Sequence, residues 1–304
     1  MKATVFEEFG GPEVLRAGEV PEPHPGPGQV RIAVRAAGVN PMDWKIRHGW
    51  MEQMMHTSFP AVPGVEAAGV VDEVGEGVTD FAVGDEVVGW ATGAYAQYAL
   101  MTNAVPKPAG LGWQEAVAVP VAGETARHVL ELLGVTSGDT LVVLGAAGAV
   151  GSVAVQLAVA LGATVVGTAS PANHDFVREL GATPVAYGEG QVDRIRAAAP
   201  SQIVDAVFDT AGKGDLPDAI DLRGGTTDRV VTIADMDAEK LGVTFSAGGA
   251  PQEEQRAHLA ANLALAAEGG LRLRVARTFG LDGAADAQRE SEAGHARGKL
   301  VIVP

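Results

Sequence analysis

A glycine-rich segment near the middle of the chain has the residue types of a phosphate-binding turn. Its six residues are Ala146, Ala147, Gly148, Ala149, Val150 and Gly151. Gly148 would let the backbone approach a pyrophosphate, and Gly151 would let the following helix pack closely against the preceding strand. The free amides and the positive dipole end of that helix would then face the phosphates. The pattern predicts dinucleotide binding, with a purely structural tight turn as the alternative.

The residues after the next strand indicate which dinucleotide would bind. An NAD site usually carries an acid about 20 residues beyond the turn, where it binds the ribose 2'-hydroxyl. Here Thr168, Ser170 and Asn173 occupy that region, and the first acid is Asp175. Uncharged side chains tolerate a 2'-phosphate, whereas a carboxylate repels it, so the sequence favours NADPH. Alternatively, Ser170 and Asn173 only cap the next helix. Possible partners of the 2'-phosphate are Arg178 and Arg297.

The charge and composition of the chain exclude several classes of protein. The 304 residues include 22 Lys and Arg against 38 Asp and Glu, for a formal net charge of -16. Such a charge disfavours binding to nucleic acid or to an anionic membrane. The chain has no cysteine, which excludes disulfides, thiol nucleophiles and thiolate zinc sites. Acids stand where a signal peptide would have its apolar run, so we expect a cytoplasmic protein.

One uncharged stretch is long enough to suggest a membrane span. Residues 140–173 contain no Asp, Glu, Lys or Arg, and about 20 apolar residues suffice to cross a bilayer. Glycines interrupt the stretch, however, and its hydrophobic period changes twice. These changes predict a strand at 140–144, a helix at 152–161 and a second strand at 163–168.

The pattern of strands, turns and helices in the sequence divides the chain into three segments. Residues 1–122 predict short strands between Gly and Pro turns, as in the alternating pattern of 29–37. In residues 123–269 the pattern alternates between strands and helices, and this alternation predicts a doubly wound parallel sheet. Residues 270–304 predict further strands, which could return to the first segment. The expected fold class is α/β, with a mostly antiparallel β domain and a dinucleotide-binding parallel-sheet domain.

Four blocks of sequence carry a resemblance to a known family. They are AAGVNPMDWKIRHG (36–49), PGVEAAGVVDEVGEGVTDFAVGDEVVG (63–89), YAQYA (95–99) and HARGKLVIVP (295–304). With the glycine turn, they resemble the zinc-independent quinone oxidoreductase branch of the medium-chain dehydrogenase/reductase superfamily. The resemblance implies a GroES-like catalytic domain formed by the two chain ends, a Rossmann domain between them, and an active site in the cleft. It also implies NADPH and a homodimer.

The same comparison argues against a metal. Zinc-using relatives have Cys where Asn40 stands and His where Val65 stands, beside an acid that is present here as Glu66. The seven histidines show no paired spacing of metal ligands. We therefore expect no zinc site.

Without metal, the chemistry implied is hydride transfer to a quinone or an α,β-unsaturated carbonyl. The enzyme must orient this acceptor and stabilise the negative charge that develops on its oxygen. Asn40, Lys45 and Tyr95 are the candidate catalytic residues: Lys45 offers a cation or a proton, and Tyr95 a hydroxyl. Some quinone reductases have Tyr in the block that contains Lys45, and the Lys resembles enone-reducing relatives more closely.

Several residues of the block 36–50 also have a structural interpretation. Asn40 followed by Pro41 is typical of a helix N-cap, and Asp43 and Arg47 have the i,i+4 spacing of an ion pair. Aromatic side chains in this block, Trp44 and Trp50, would line an aromatic-accepting pocket or belong to the core.

The resemblance also assigns further contacts to the cofactor. Thr125 matches a position near the nicotinamide at the junction of the domains, although its hydroxyl could instead bond to its own helix. The loop 245–250 would pass near the nicotinamide, and Tyr187 would edge the adenosine site. The remaining family-matched positions lie at the carboxyl ends of strands, where ligands of such sheets gather, or in that loop: Thr210, Ala211, Ile233, Ala234, Phe245 and Ala247.

Three functions fit these residues. The first is an NADPH-dependent reductase of quinones or enones, and the second is an enoyl-thioester reductase on the same scaffold. The third is a regulatory protein that binds NADPH without turnover, because the sequence contains no unmistakable acid-base residue.

Overall fold

A computed structural model describes residues 1–248, 250–294 and 296–304 of the chain. Two positions used above, Gly249 in the loop after Phe245 and His295 at the start of the C-terminal block, lie outside the described residues. The chain forms two compact units, the first from Met1–Val121 and Gln252–Pro304 and the second from Ala122–Pro251.

The described residues form strands and α-helices with the following bounds. The strands are β1 Lys2–Val5, β2 Arg16–Glu19, β3 Val30–Val39, β4 Glu66–Val74, β5 Glu86–Thr92, β6 Tyr98–Pro106, β7 Thr140–Leu144, β8 Thr164–Ala169, β9 Thr183–Ala186, β10 Ala206–Asp209, β11 Val230–Thr232, β12 Thr244–Phe245, β13 Val275–Phe279 and β14 Lys299–Ile302. The α-helices are α1 Pro41–Arg47, α2 Trp113–Ala116, α3 Pro120–Leu132, α4 Ala149–Ala160, α5 His174–Glu179, α6 Gln191–Ala198, α7 Leu216–Leu222, α8 Ala238–Leu241, α9 Gln252–Ala267 and α10 Ala284–Glu292.

The first unit is built on a mostly antiparallel sheet with the strand order β13-β14-β3-β4-β5-β6. Its core contains Ile32, Val71, Val87 and Met101 from the inner faces of these strands. Strand β14, from the end of the chain, pairs antiparallel with β3 from its beginning. The two chain ends thus complete one sheet, as the resemblance implied for a GroES-like domain.

The second unit is a parallel sheet with the strand order β12-β11-β10-β7-β8-β9. The chain starts at the centre with β7, runs outward through β8 and β9, and returns to β10 on the other side of β7. This reversal is that of a doubly wound fold, which places ligands at the carboxyl ends of the strands around the switch point. The predicted fold class is confirmed: α/β, with a GroES-like unit and a Rossmann unit.

The boundary between the units differs from the one read from the sequence. Residues 252–267, expected in the dinucleotide-binding segment, form helix α9 of the first unit. Leu259 and Leu263 of this helix pack with Val88 and Val105 of the antiparallel sheet. The apolar contacts of a helix, which its sequence pattern does not identify, decide the unit to which it belongs.

The uncharged stretch 140–173 forms β7, the glycine turn, α4 and β8. Across the described parts of the chain, every helix lacks the combination of length and apolar character needed to cross a bilayer.

Candidate active site

The glycine turn joins β7 to α4, and two glycines fix its shape. Gly145 has a φ of +87°, a conformation that favours glycine, and any Cβ there would lie 2.8 Å from Oγ1 of Thr210. A Cβ on Gly151 would lie 2.3 Å from the carbonyl oxygen of Gly145. Close packing at Gly151 was predicted from the sequence, whereas a part for Gly145, directly before the Ala at the first fingerprint position, was not.

The turn presents backbone amides at the start of α4. Gly148 has an extended conformation at the N-cap, so the helix begins at Ala149, three residues earlier than expected. Within the described residues, the amides of Ala149 and Val150 have no hydrogen-bond acceptor. Such first-turn amides, together with the helix dipole, form a binding site for an anion such as a phosphate. Of the six predicted positions 146–151, Ala149 and Val150 therefore offer amides to a phosphate, whereas the amides of Ala146 and Gly148 already donate to the carbonyl oxygens of Thr168 and Gly145, each over 3.0 Å.

The end of β8 carries uncharged hydrogen-bonding side chains. The Asn173 amide donates to the Ser170 hydroxyl over 3.1 Å, and neither side chain caps the helical turn that follows. Thr168 lies deeper, where its hydroxyl accepts the Gly145 amide over 3.0 Å and braces the glycine turn. The Arg178 guanidinium is bonded to Asp175 over 2.6 Å. The end of β8 thus carries two uncharged polar side chains, Ser170 and Asn173, that are bonded to each other.

The ends of β10 and β11 are joined by Asp209, the last residue of β10 and part of the family-matched segment 209–212. Asp209 is fully buried; its Oδ1 accepts the amides of Ala211 and Gly212, at 2.9 and 3.1 Å. Its Oδ2 accepts the Thr232 hydroxyl over 2.7 Å. Burial raises the pKa of this carboxyl, and these three donors partly oppose the rise. Asp209 therefore fixes the backbone at the start of the loop after β10.

The other predicted cofactor contacts of this unit lie at the same edge of its sheet. Thr210 follows β10, and its hydroxyl donates to the Leu144 carbonyl over 2.7 Å. Tyr187 follows β9 and is exposed, as are Phe245 at the end of β12 and Ala247 beyond it. Ile233 and Ala234 directly follow β11. The parallel topology therefore brings these positions to one edge, because each comes at the carboxyl end of a strand.

In the first unit, Asn40 is part of a buried charged network. Its Nδ2 donates to Oε1 of Glu66 over 2.8 Å, and its Oδ1 accepts from Nζ of Lys299 over 2.6 Å. Lys299 also forms an ion pair with Glu66, and both side chains are buried. The other carboxylate oxygen of Glu66 accepts the Val121 amide over 2.8 Å. Sequence reasoning missed Lys299; its one signal was a cation at the start of the apolar strand that ends the chain.

A second buried contact joins Asn40 to Tyr95 through Asp43. Oδ2 of Asp43 accepts the Asn40 backbone amide over 2.8 Å and the Tyr95 hydroxyl over 2.9 Å. Burial raises the pKa of Asp43 to about 7, against the effect of these two donors. Burial, and then the nearby Asp43, also raises the pKa of Tyr95 well above its ordinary value. The Tyr95 side chain is fully buried, which favours a structural part for its hydroxyl.

The expected ion pair between Asp43 and Arg47 is not among the contacts of the described residues. The Arg47 guanidinium instead donates to Gln288 and Glu292 of α10, at 2.8 Å each. Arg47 is fully buried against α10, and the donors of Asp43 come from Asn40 and Tyr95. Tertiary contacts thus override the i,i+4 spacing.

Lys45 differs from the other two candidate catalytic residues because it is only partly buried. Burial lowers the pKa of its ammonium, which lies 5.7 Å from the centroid of the Trp44 ring. The Trp44 ring contacts the Trp50 ring edge to face at 5.7 Å, and Trp50 is mostly exposed. Lys45 is therefore a cation beside an aromatic surface, with no carboxylate partner among the residues that the structure describes.

Two predicted cofactor contacts belong to different units. Thr125 lies half-buried in α3 of the second unit, whereas Arg297 is exposed just before β14 in the first. The structure thus groups the glycine turn with the strand ends of the second unit, and groups Asn40 with Tyr95 in the first.

The residues around Asn40 do not fit a zinc ion. An amide stands at one position expected to carry a ligand and Val65 at another, and neither supplies a thiolate or an imidazole. The remaining carboxylate, that of Glu66, is already bound by the ammonium of Lys299. These residues therefore offer no set of zinc ligands.

Two family models match the chain. The model of the alcohol dehydrogenase GroES-like domain matches residues 26–126, and the model named zinc-binding dehydrogenase matches residues 180–302. The first range falls largely in the antiparallel unit, and the second covers parts of both units.

Individual proteins give the same result. The chain is 30% identical to the chloroplastic quinone-oxidoreductase QR1 of Triphysaria versicolor, over 100% of this chain and 98% of the relative. It is 37% identical to the chloroplast envelope quinone oxidoreductase homolog of Arabidopsis thaliana, over 61% of this chain and 60% of the relative. The match thus spans less than two thirds of that second relative.

Solved structures resemble the whole chain. The quinone oxidoreductase of Coxiella burnetii has a TM-score of 0.88 and 31% identity, covering 100% of this chain and 99% of the other. The Escherichia coli quinone oxidoreductase complexed with NADPH has a TM-score of 0.86 and 25% identity, covering 100% of both chains. With the fold and the two groups of site residues described above, these likenesses show that the chain is an oxidoreductase of the quinone oxidoreductase branch of the medium-chain dehydrogenase/reductase superfamily.

Proposed function

We propose that this protein is an NADPH-dependent reductase that transfers a hydride to a quinone or an α,β-unsaturated carbonyl without a metal. The observation that carries the proposal is the amide-lined start of α4, next to a β8 end with Ser170 and Asn173 in place of a carboxylate. The amides suit a pyrophosphate, and the uncharged side chains tolerate a 2'-phosphate.

NADPH fits these residues and would supply the hydride when bound. The amides of Ala149 and Val150 would hold the pyrophosphate, and Ser170 and Asn173 would bond to the adenosine ribose and its phosphate. The NADPH complex of the Escherichia coli relative supports this choice of cofactor.

The chain's own residues would then bind and polarise the acceptor. Asn40 would donate an amide N–H to the acceptor oxygen, and the Lys45 ammonium would stabilise the negative charge that develops there. Burial lowers the pKa of Lys45, which also makes its proton easier to transfer. We assign Tyr95 to holding Asp43, because its pKa is raised and its hydroxyl is buried.

The activity is tested by following the absorbance of the reduced nicotinamide with a panel of acceptors. The panel contains quinones, cyclic enones, alkenals and a crotonyl thioester, each assayed with NADPH and with NADH. We expect turnover of quinones or enones with a preference for NADPH, unchanged by a zinc chelator. Turnover of the thioester alone would instead indicate an enoyl-thioester reductase. Tight NADPH binding without turnover of any acceptor would overturn the proposal in favour of a binding protein.

We also propose that the protein is a homodimer. In the parallel sheet, β12 is an edge strand, and both of its residues, Thr244 and Phe245, are exposed. An unpaired edge strand is a ready site for pairing with a second copy. Light scattering of the purified protein would give the mass of a dimer, and the mass of a single chain would contradict the assignment.

A further inference from the structure

The Asn40 network depends on the register of three neighbouring strands. Strand β3 lies between β14 and β4, with Leu300 opposite Val39 and Ala67 opposite Ala37. Lys299 precedes the first of these pairs and Glu66 the second, so both side chains come to lie at the end of β3. Gly38 leaves room for them, because a Cβ there would lie 2.1 Å from Oε1 of Glu66.

The two charges fix the orientation of the Asn40 amide. Its oxygen accepts from the Lys299 ammonium over 2.6 Å, and its nitrogen donates to the Glu66 carboxylate over 2.8 Å. The reversed amide would place its oxygen against a carboxylate and its N–H groups against an ammonium. Because both contacts are buried, the wrong orientation would be strongly disfavoured.

One donor of this amide remains for another partner. An Asn side chain has two N–H donors, and the described residues supply one acceptor for them, Glu66. The ammonium on the amide oxygen withdraws electron density from the nitrogen, which strengthens the remaining N–H as a donor. The bonds of Asn40 with Lys299 and Glu66 both involve an ionised group, and such hydrogen bonds are about twice as strong as neutral ones.

We propose that Lys299 and Glu66 are positioning residues: both orient the Asn40 amide and Lys299 polarises it, so that its free N–H stabilises negative charge on the acceptor oxygen. This inference rests on the proposed function, in which Asn40 contacts the acceptor. Lys299 and Glu66 do not touch the acceptor and act through Asn40. The buried ion pair, whose net charge is zero, thus serves as a polarising support for one neutral donor.

The test uses the double variant Lys299→Met/Glu66→Gln, which removes both charges together. Removing one partner alone would leave a buried unpaired charge, whereas replacing both usually has a small effect on stability. The readouts are kcat and KM for the acceptor, the dissociation constant of NADPH, and the binding of 4-nitrophenolate in the presence of NADP+. The phenolate carries its negative charge on oxygen, and its absorption spectrum reports hydrogen bonding to that oxygen.

We expect kcat and the phenolate affinity to fall by about 10-fold or more, as when an oxyanion donor is weakened, with the NADPH dissociation constant unchanged. The single variant Lys299→Arg keeps a cation at this position, so it should retain most of the phenolate affinity of the wild type. The matched control is Lys107→Met/Glu86→Gln. It removes a comparably buried lysine, Lys107, together with Glu86, whose carboxylate lies 3.0 Å from the ammonium. Neither residue contacts Asn40. This control should leave the phenolate affinity unchanged.

A double variant that matches the wild type in both kcat and phenolate affinity overturns the inference. If the double variant does not fold, Asn40→Ala decides, because it removes the amide and leaves the Lys299–Glu66 pair in place. An undiminished phenolate affinity in Asn40→Ala would also overturn the inference. Failure of the proposed function is distinguishable, since the wild type itself would then reduce no acceptor.

Discussion

The hydroxyl of Tyr95 donates a hydrogen bond to Oδ2 of Asp43 over 2.9 Å, and both side chains are buried. The same carboxylate oxygen accepts the backbone amide of Asn40, the residue that begins α1. Two residues 52 positions apart in the sequence therefore fix the start of the helix that carries Lys45.

Asp43 should make the stability of the protein decrease as the pH rises from about 4 to 7. Burial raises its pKa to about 7 from an ordinary value of 3.8, so the folded state binds the proton more tightly than the unfolded state. The stabilisation is fully present below pH 4 and is lost as the pH approaches 7, by up to roughly 4 kcal/mol. Urea unfolding at pH 5 and pH 8 should show most of this loss, about 2–3 kcal/mol, and a smaller loss in Asp43→Asn. An equal pH dependence of stability in the wild type and in Asp43→Asn would contradict this contribution of Asp43.

Tyr95→Phe should destabilise the fold more than it impairs catalysis. The variant removes one donor from a buried carboxylate, which costs about 1–3 kcal/mol and raises the pKa of Asp43 further. Thermal unfolding and steady-state kinetics measure the two effects side by side. A loss of about 100-fold or more in kcat, as when a general acid is removed, would show that the hydroxyl transfers a proton.

Gly151→Ala should displace α4 from β7 and weaken NADPH binding. The added Cβ would lie 2.3 Å from the Gly145 carbonyl oxygen, a backbone atom that cannot turn away. Overpacking of this kind costs about 1–3 kcal/mol. Gly110→Ala is the control, because a Cβ there meets nothing within 4 Å. Calorimetry should find weaker NADPH binding in the first variant alone, and equal affinities would argue against a nucleotide at this turn.

Ser170→Asp should lower the affinity for NADPH and leave that for NADH nearly unchanged. A carboxylate at the end of β8 repels a 2'-phosphate and can bond to a ribose 2'-hydroxyl. Ser170→Asn separates charge from size, because it adds a similar volume without the charge. The measurement is the dissociation constant of NADPH and of NADH for the wild type, Ser170→Asp and Ser170→Asn. A uniform loss for NADPH and NADH in Ser170→Asp would place the 2'-phosphate elsewhere.

Asp139 should contribute stability that is lost in acid. The hydrogen-bonded Arg229 guanidinium, 2.8 Å away, lowers the pKa of this carboxyl to about 2. The stabilisation is present above pH 4 and disappears as the pH falls through 2, by about 1–2 kcal/mol. Asp139→Asn should therefore unfold more readily at pH 6. Asp175→Asn is the control. Asp175 and its partner Arg178 are both exposed, and exposed ion pairs contribute little to stability. Equal losses in the two variants would contradict this assignment.

Local patterns predicted the parts of the fold that depend on neighbouring residues. The strand at 140–144 was predicted with its observed bounds, and the next strand within a residue of them, because an apolar run between glycines leaves few alternatives. The start of α4 was misplaced by three residues, because the extended conformation at Gly148 decides it. The unit to which α9 belongs was also beyond a local pattern, since Leu259 and Leu263 find their partners in strands far away in the sequence.

The sequence by itself determined the glycine turn, the acid-free end of β8 and the alternation of strands and helices, because each depends on residues that are close together in the chain. The tertiary structure alone decided the surroundings of Asn40. Glu66 lies 26 residues away and Lys299 lies 259 residues away, and the register of β14, β3 and β4 brings them together. Strand pairing over such separations depends on packing of the whole sheet, which no local spacing of residues specifies.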